Sequence, residues 1–133
     1  MDSLTPEQRS ENMRRIRSAD TAPEMTVRRA AHALGYRFRL HVKYLPGRPD
    51  LVFPRLGKVI FVHGCFWHCH ARCKQFRIPG TRREFWETKL HGNKLRDQAH
   101  LKAIRKLGWQ ALVIWECQTE KPGLSERLQK FLA

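Results

Sequence analysis

The stretch "PGRPDLVFPRLGKVIFVHG", residues 46–64, holds two short apolar runs separated by turn residues. "DLVF" and "KVIFVHG" are each too short for a helix and are rich in Val, Ile and Phe, so they read as β-strands. "PGRP" and "PRLG" punctuate them as turns. The second run is almost wholly apolar, as a central strand covered on both faces must be. It ends in a histidine, and a dense group of polar donors follows at once.

Outward from this pair, the periodicity changes. Upstream, "YRFRLHV" (36–42) alternates like a strand with a basic outer face. "APEMTVRRAAHALGY" (22–36) has helical spacing, with Pro23 in its first turn, Gly35 as its stop, and Met25, Val27, Ala30, Ala31 and Leu34 on the buried face. "TPEQRSENMRRIRSAD" (5–20) reads as a basic helical arm. Downstream, "RREFWETKLHGNKLRDQAHLKAIRKLG" (82–108) is a long helix with Leu95, Ala99, Ile104 and Leu107 inward, a break or kink at Gly92, and Gly108 as its end. "WQALVIWE" (109–116) is a second buried strand, and "LSERLQKFLA" (124–133) a short amphipathic helix. The order α-α-β-β-β-α-β-α predicts an α/β sandwich with a mixed β-sheet flanked by helices.

The 133 residues are expected to form a single domain, 1–133, with residues 1–20 as a basic arm. The first residues carry no apolar run of the secretory type, and no segment has the length of a membrane span, so a cytoplasmic protein with no membrane partner is expected. Lys and Arg number 26 against 12 Asp and Glu, a formal net charge of +14. That excess runs through both halves of the chain. It favours a polyanionic partner, nucleic acid above all, over a merely solvated basic surface.

The segment "HGCFWHCHARC", residues 63–73, packs three cysteines and three histidines into eleven positions. In a reducing compartment such density indicates metal binding rather than disulfides. Cys65, His70 and Cys73 form a suitable zinc trio, and distant Cys117 is placed to close a tetrahedral site. On spacing alone, His68 and Cys69 compete for the same role. Asp50 opens the strand after the Pro-Gly turn. Such an aspartate serves equally well as a turn residue or as a carboxylate ligand for Mg²⁺. A neighbouring strand ending in His63, with His68 just beyond, brings carboxylate and imidazole together on a basic surface, which is the equipment of a phosphodiester hydrolase.

Taken in order, "NMRRIRSADTAPE", "LPGRPDLVF", "VIFVHGCFWHCH..C", "TRREFW" and "LGW..LVIWEC" resemble the very short patch repair (Vsr) endonucleases, over about Arg9 to Cys117. The resemblance implies a restriction-endonuclease-like core with a structural zinc site and catalytic Mg²⁺. It implies a bacterial, nucleoid-associated monomer that nicks double-stranded DNA 5′ to the mispaired T of a T:G mismatch, such as 5-methylcytosine deamination leaves. Other mismatch-repair proteins would be further partners. Carried over by position, Asp50 and the main-chain carbonyl of Val62 would hold Mg²⁺. His68 would be the general base, Glu24 would assist through water, and His63 would support the phosphate or leaving group. Zinc would take Cys65, His70, Cys73 and Cys117, with Cys69 a bystander.

Phe66, Trp67 and Trp86 are then expected to enter the duplex beside the mismatch, where a wobble pair is easier to pry open. Met13, Arg14 and Arg15 of the arm are expected in the opposite groove. Trp109 and Trp115 read as core. Two other functions remain open on the residues alone: a non-catalytic zinc-stabilised DNA-binding module, and a hydrolase whose zinc is itself catalytic.

Overall fold

The computed structural model describes residues 20–74 and 76–133. Met13, Arg14, Arg15 and nearly all of the expected N-terminal arm lie outside the described residues. Eight elements follow one another: α1 (Ala22–Ala33), β1 (Arg39–Leu40), β2 (Leu51–Phe53), β3 (Lys58–His63), α2 (Arg83–Lys106), β4 (Gln110–Trp115), α3 (Glu116–Thr119) and α4 (Leu124–Leu132). The strands form one sheet in the order β1-β2-β3-β4. β1, β2 and β3 pair antiparallel, and β3 and β4 pair parallel, so the sheet is mixed as expected. A parallel pair needs a long crossover, and the loop after β3 together with α2 supplies it.

The strand period of two sorts side chains onto opposite faces. Leu51, Phe53 and Ile60 pack on one face with Ile114, against Val27 and Ala31 of α1 and Leu128 and Leu132 of α4. Val52, Val59 and Phe61 pack on the other, with Val42, Leu45 and Ile104 of α2. Val59 to Val62 of β3 are all apolar because helices cover both faces of the strand. The same alternation puts His63 on the Val59–Phe61 face, toward α2.

α1 begins as its sequence demands. Thr21 caps it, accepting the Glu24 N–H, and Pro23 sits in the first turn, where a missing N–H costs nothing. Gly35 at φ +93° ends it, with Tyr36 N–H donated back to Ala31.

Three expectations need correction. The strand expected over 36–42 is paired only at Arg39–Leu40, because His41 takes a left-handed φ of +49° and breaks the ladder. Tyr36 and Phe38 still pack edge-on against Phe53, so the alternation itself holds. α2 runs without a break through Gly92. Its inner face is only partly the one predicted: Ile104 is buried as expected, but Leu95 and Leu107 are 52% and 62% exposed, and Leu90 and Asn93 are buried. Leu95 stands two residues from Asn93, about 200° around a helix of 3.6 residues per turn, which is nearly the opposite side. Apolar spacing misplaced the face because its middle portion is polar. α3 was not expected at all.

Gly47 is where the turn before β2 meets α2. Its φ is +75°, and an added Cβ would lie 2.9 Å from His100 Cβ and 3.0 Å from Phe61 Cε1. Gly35 has positive φ too, but nothing within 4 Å. Gly47→Ala therefore combines backbone strain with overpacking and is expected to cost about 1–3 kcal/mol. Gly35→Ala should cost less, from strain alone. Chemical denaturation of both variants measures this, and equal losses would contradict the close approach at Gly47.

Candidate active site and metal-ligand cluster

At the end of β3 the chain enters a tight loop, turned by His68 N–H donating to Gly64 and His70 N–H donating to Cys65. The turn brings His68 back over His63, and their rings stack at 4.0 Å between centroids, 8° from parallel. His68 Nδ1 lies 2.6 Å from Asp97 Oδ2 on α2. With Nδ1–H donated to that carboxylate, the His68 tautomer is fixed and Nε2 is left with its lone pair. His63 is 7% exposed. Burial pushes its pKa down to about 3, and His68 adds to the depression against the pull of Asp97, so the ring stays neutral.

Asp50 stands immediately before the neighbouring strand, β2. Its Oδ2 accepts the Val62 N–H at 2.6 Å, which fixes the carboxylate beside the Val62 backbone. Glu24, near the start of α1, is only 2% exposed, and His41 Nε2 meets its Oε2 at 2.9 Å. The Arg28 guanidinium bonds both Glu24 and Asp20. His41 Nδ1 stands 3.8 Å from Asp50 Oδ1. The left-handed turn that shortens β1 thus serves to put His41 between two acids. Burial raises the Asp50 pKa to about 8, and the Glu24 carboxylate pushes the same way, opposed by the Val62 N–H and Arg28. A buried and a half-buried carboxylate side by side are suited to a divalent cation, which would offset their charge.

Both groups open into one cleft of about 650 Å³, whose lining includes Glu24, Asp50, His63, His68, Asp97 and Phe66. Arg48, Arg96 and Glu116 also line it, so both signs of charge face the cleft.

Behind the cleft the loop folds into a second cluster. Donor atoms of Cys65, His70, Cys73 and Cys117 all lie within 4.8 Å of one another. His70 Nδ1 is 3.5 Å from both Cys65 Sγ and Cys117 Sγ. Ligands at tetrahedral zinc distances stand about 3.5–3.8 Å apart, so the spacing fits such an ion. All four cysteines are free thiols. Burial pushes Cys65 up to about 12, with neighbouring thiols adding to it, and burial pushes His70 down. A bound cation would reverse the first and make use of the second. The structure leaves out both competitors on spacing: His68 faces Asp97, and Cys69 Sγ donates to the Leu90 carbonyl at 3.3 Å.

Phe66, Trp67 and Trp86 come together as a cluster, with centroids 5.0, 5.6 and 5.9 Å apart. Trp67 is 7% exposed, and its carbonyl accepts Asn93 Nδ2–H. Trp109 packs against the core on the α2 side, as expected. Trp115 is not plain core. It is half-buried, stacked on His70 and edge-on to His63.

Asp97, Arg28, His41 and Asn93 were missed by sequence reasoning. The signal for two of them was present: Asn93, Asp97 and His100 recur at helical spacing between the buried Leu90 and Ile104.

Asp50 also links stability to pH. Its unfolded-state carboxyl loses a proton near pH 3.8, whereas the folded one keeps it to about 8, so folding stability from this group falls as pH rises across that range. Neutral His63 has the opposite slope between about 3 and 6.5, which leaves pH 6.5–8 to Asp50. Without divalent cations, wild type should lose stability relative to Asp50→Asn over that interval, and added Mg²⁺ should restore it at pH 8 in wild type alone. Parallel curves in thermal melts would contradict the assignment.

The family model for "DNA mismatch endonuclease Vsr" matches residues 1–75. The chain is 46% identical over 132 residues to "Type II nicking enzyme V.XorIIP" of Xanthomonas oryzae pv. oryzae, covering 98% of this chain and 96% of that one. It is 41% identical over 130 residues to "DNA mismatch endonuclease Vsr" of Escherichia coli, covering 93% and 83%. A third relative, "Type II nicking enzyme V.NmeAIP" of Neisseria meningitidis, is 35% identical over 132 residues, covering 98% and 94%. With the acid pair, the imidazole pair and the cysteine cluster standing on the motifs that first suggested it, this chain belongs to the Vsr family of DNA mismatch endonucleases.

Proposed function

We propose that the protein nicks duplex DNA on the 5′ side of the mispaired thymine in a T:G mismatch, using Mg²⁺ in the cleft and zinc in the cysteine cluster. The observation that carries this is the convergence of Asp50 and Glu24 with the His63–His68–Asp97 group in one cleft.

Asp50 and the Val62 carbonyl would hold Mg²⁺, which supplies charge neutralisation at the phosphate when bound. Glu24, held by Arg28 and His41, would act through water beside it. His68 takes the proton of the attacking water on Nε2, and Asp97 steadies the imidazolium that results, as the buried acid does in a hydrolase triad. His63, kept neutral by burial, offers a hydrogen bond to the phosphate or the departing oxygen. Four protein donors at the cluster leave no open position for water, which argues for structural rather than catalytic zinc.

Phe66 and Trp67 line the same cleft, and Trp86 packs against both. Inserted beside a wobble pair, they would exchange contacts with one another for contacts with bases, at less cost than at a matched pair. Trp67 has the furthest to move, given its burial. Arg48 and Arg96 would meet backbone phosphates.

The test is single-turnover nicking of T:G duplexes with varied flanking pairs in Mg²⁺. Asp50→Ala should abolish cleavage while leaving DNA affinity largely intact. His68→Ala should lose on the order of 10²–10⁴-fold in rate. Asp97→Asn should fall by a similar order through loss of the His68 tautomer. No nick in any T:G context would overturn the proposal, as would full activity in the Asp50→Ala variant.

A further inference from the structure

We propose that Trp115 is a positioning residue, which transmits the order of the cysteine-histidine cluster to the two imidazoles of the active site. The inference rests on the proposed roles of His68 as general base and of the cluster as a metal centre.

Four rings stand in an unbroken series from one site to the other. His70 lies flat on Trp115, 4.1 Å between centroids and 9° from parallel. Trp115 meets His63 edge-on at 5.3 Å and 76°. His63 stacks on His68 at 4.0 Å, and Asp97 closes the series. Both ring geometries are favoured ones for aromatic side chains.

Trp115 is held for this task from several sides. It is the register partner of His63 in the parallel β3–β4 pair, so both side chains project from the same face of the sheet. Its backbone N–H donates to Gln118 Oε1 at 2.9 Å, which ties it to α3, the helix that carries Cys117. Two cluster residues thus bear on Trp115: His70 through its ring and Cys117 through the helix.

His68 needs such support. It sits on a loop, not on a strand or helix, and its ring is fixed by one hydrogen bond and one stacking contact. The stacking partner, His63, is in turn backed by Trp115. A general base displaced by about 1 Å can lose on the order of 10²-fold in rate.

The test compares wild type, Trp115→Leu and Trp115→Phe as full-chain proteins, each measured for zinc content. Two readings are taken: the single-turnover nicking rate at saturating T:G duplex, and the ring proton resonances of His63 and His68 by NMR. Trp115→Leu should keep one zinc and its DNA affinity, lose about 10- to 100-fold in rate, and shift both histidine signals. Trp115→Phe, which keeps a smaller flat ring, should lie between Leu and wild type in both readings.

The inference is overturned if zinc-loaded Trp115→Leu nicks at the wild-type rate, or if both histidine signals stay in place. It is also overturned if that variant loses its zinc, since Trp115 would then serve the cluster alone. Should Trp115→Leu not fold, Trp115→Phe decides by the same readings, and identity with wild type in both sinks the idea. A wild-type protein that does not nick would refute the proposed function instead, and the NMR comparison would still decide the coupling.

Discussion

Two parallel strands, β3 and β4, end side by side, and the residues just beyond each are joined through a cluster of three sulfurs and one imidazole. Cys65, His70 and Cys73 lie on the loop after β3, and Cys117 lies just past β4. The chain between the two strand ends includes the whole of α2, so the cluster closes a long excursion. The loop from Gly64 to Cys73 is tied to α2 as well: Asn93 Nδ2–H donates to the Trp67 carbonyl, Cys69 Sγ donates to the Leu90 carbonyl, and His68 Nδ1 meets Asp97. Between these ties and the cluster, Phe66 and Trp67 are set against Trp86. The Glu116 carboxylate adds to the same joint, accepting the Cys65 N–H at 3.2 Å.

The opposite wall is built by different means. Glu24 comes from the first turn of α1, Asp50 from just before β2, and His41 from the kink that ends β1. The Arg28 guanidinium ties this wall together: it bonds two carboxylates at once and permits one of them to be almost completely buried. The cleft therefore has an acid wall tied together by Arg28 and an imidazole wall built on the loop that carries the cysteine cluster, where burial keeps His63 neutral.

Much of this was legible in the residues because the causes are local. β2, β3 and β4 announce themselves by composition and turns, and α1 by its Pro and Gly. A Cys/His cluster was legible in the crowding of those residues, although choosing His70 over His68 took the family resemblance. What stayed hidden depends on pairing across the fold. Asp97 looks like any charge on a basic helix until His68 is placed beside it. Arg28 and His41 are two more basic residues among many until Glu24 is buried between them. Trp115 reads as core because a strand tryptophan usually is. The misplaced face of α2 has the same origin: apolar spacing assumes that the inner side of a helix is apolar, and here it lines a polar cleft.

The central claim is that four named donors make one metal centre from which the catalytic loop is hung. Zinc-edge X-ray absorption on the purified protein tests it most directly, with the Cys69→Ser and Cys117→Ser variants alongside. The account predicts one zinc per chain in a shell of three sulfurs and one nitrogen at about 2.0–2.3 Å, unchanged in Cys69→Ser and lost or altered in Cys117→Ser. A zinc-free protein, or a shell that loses a sulfur in Cys69→Ser and keeps all three in Cys117→Ser, would contradict it.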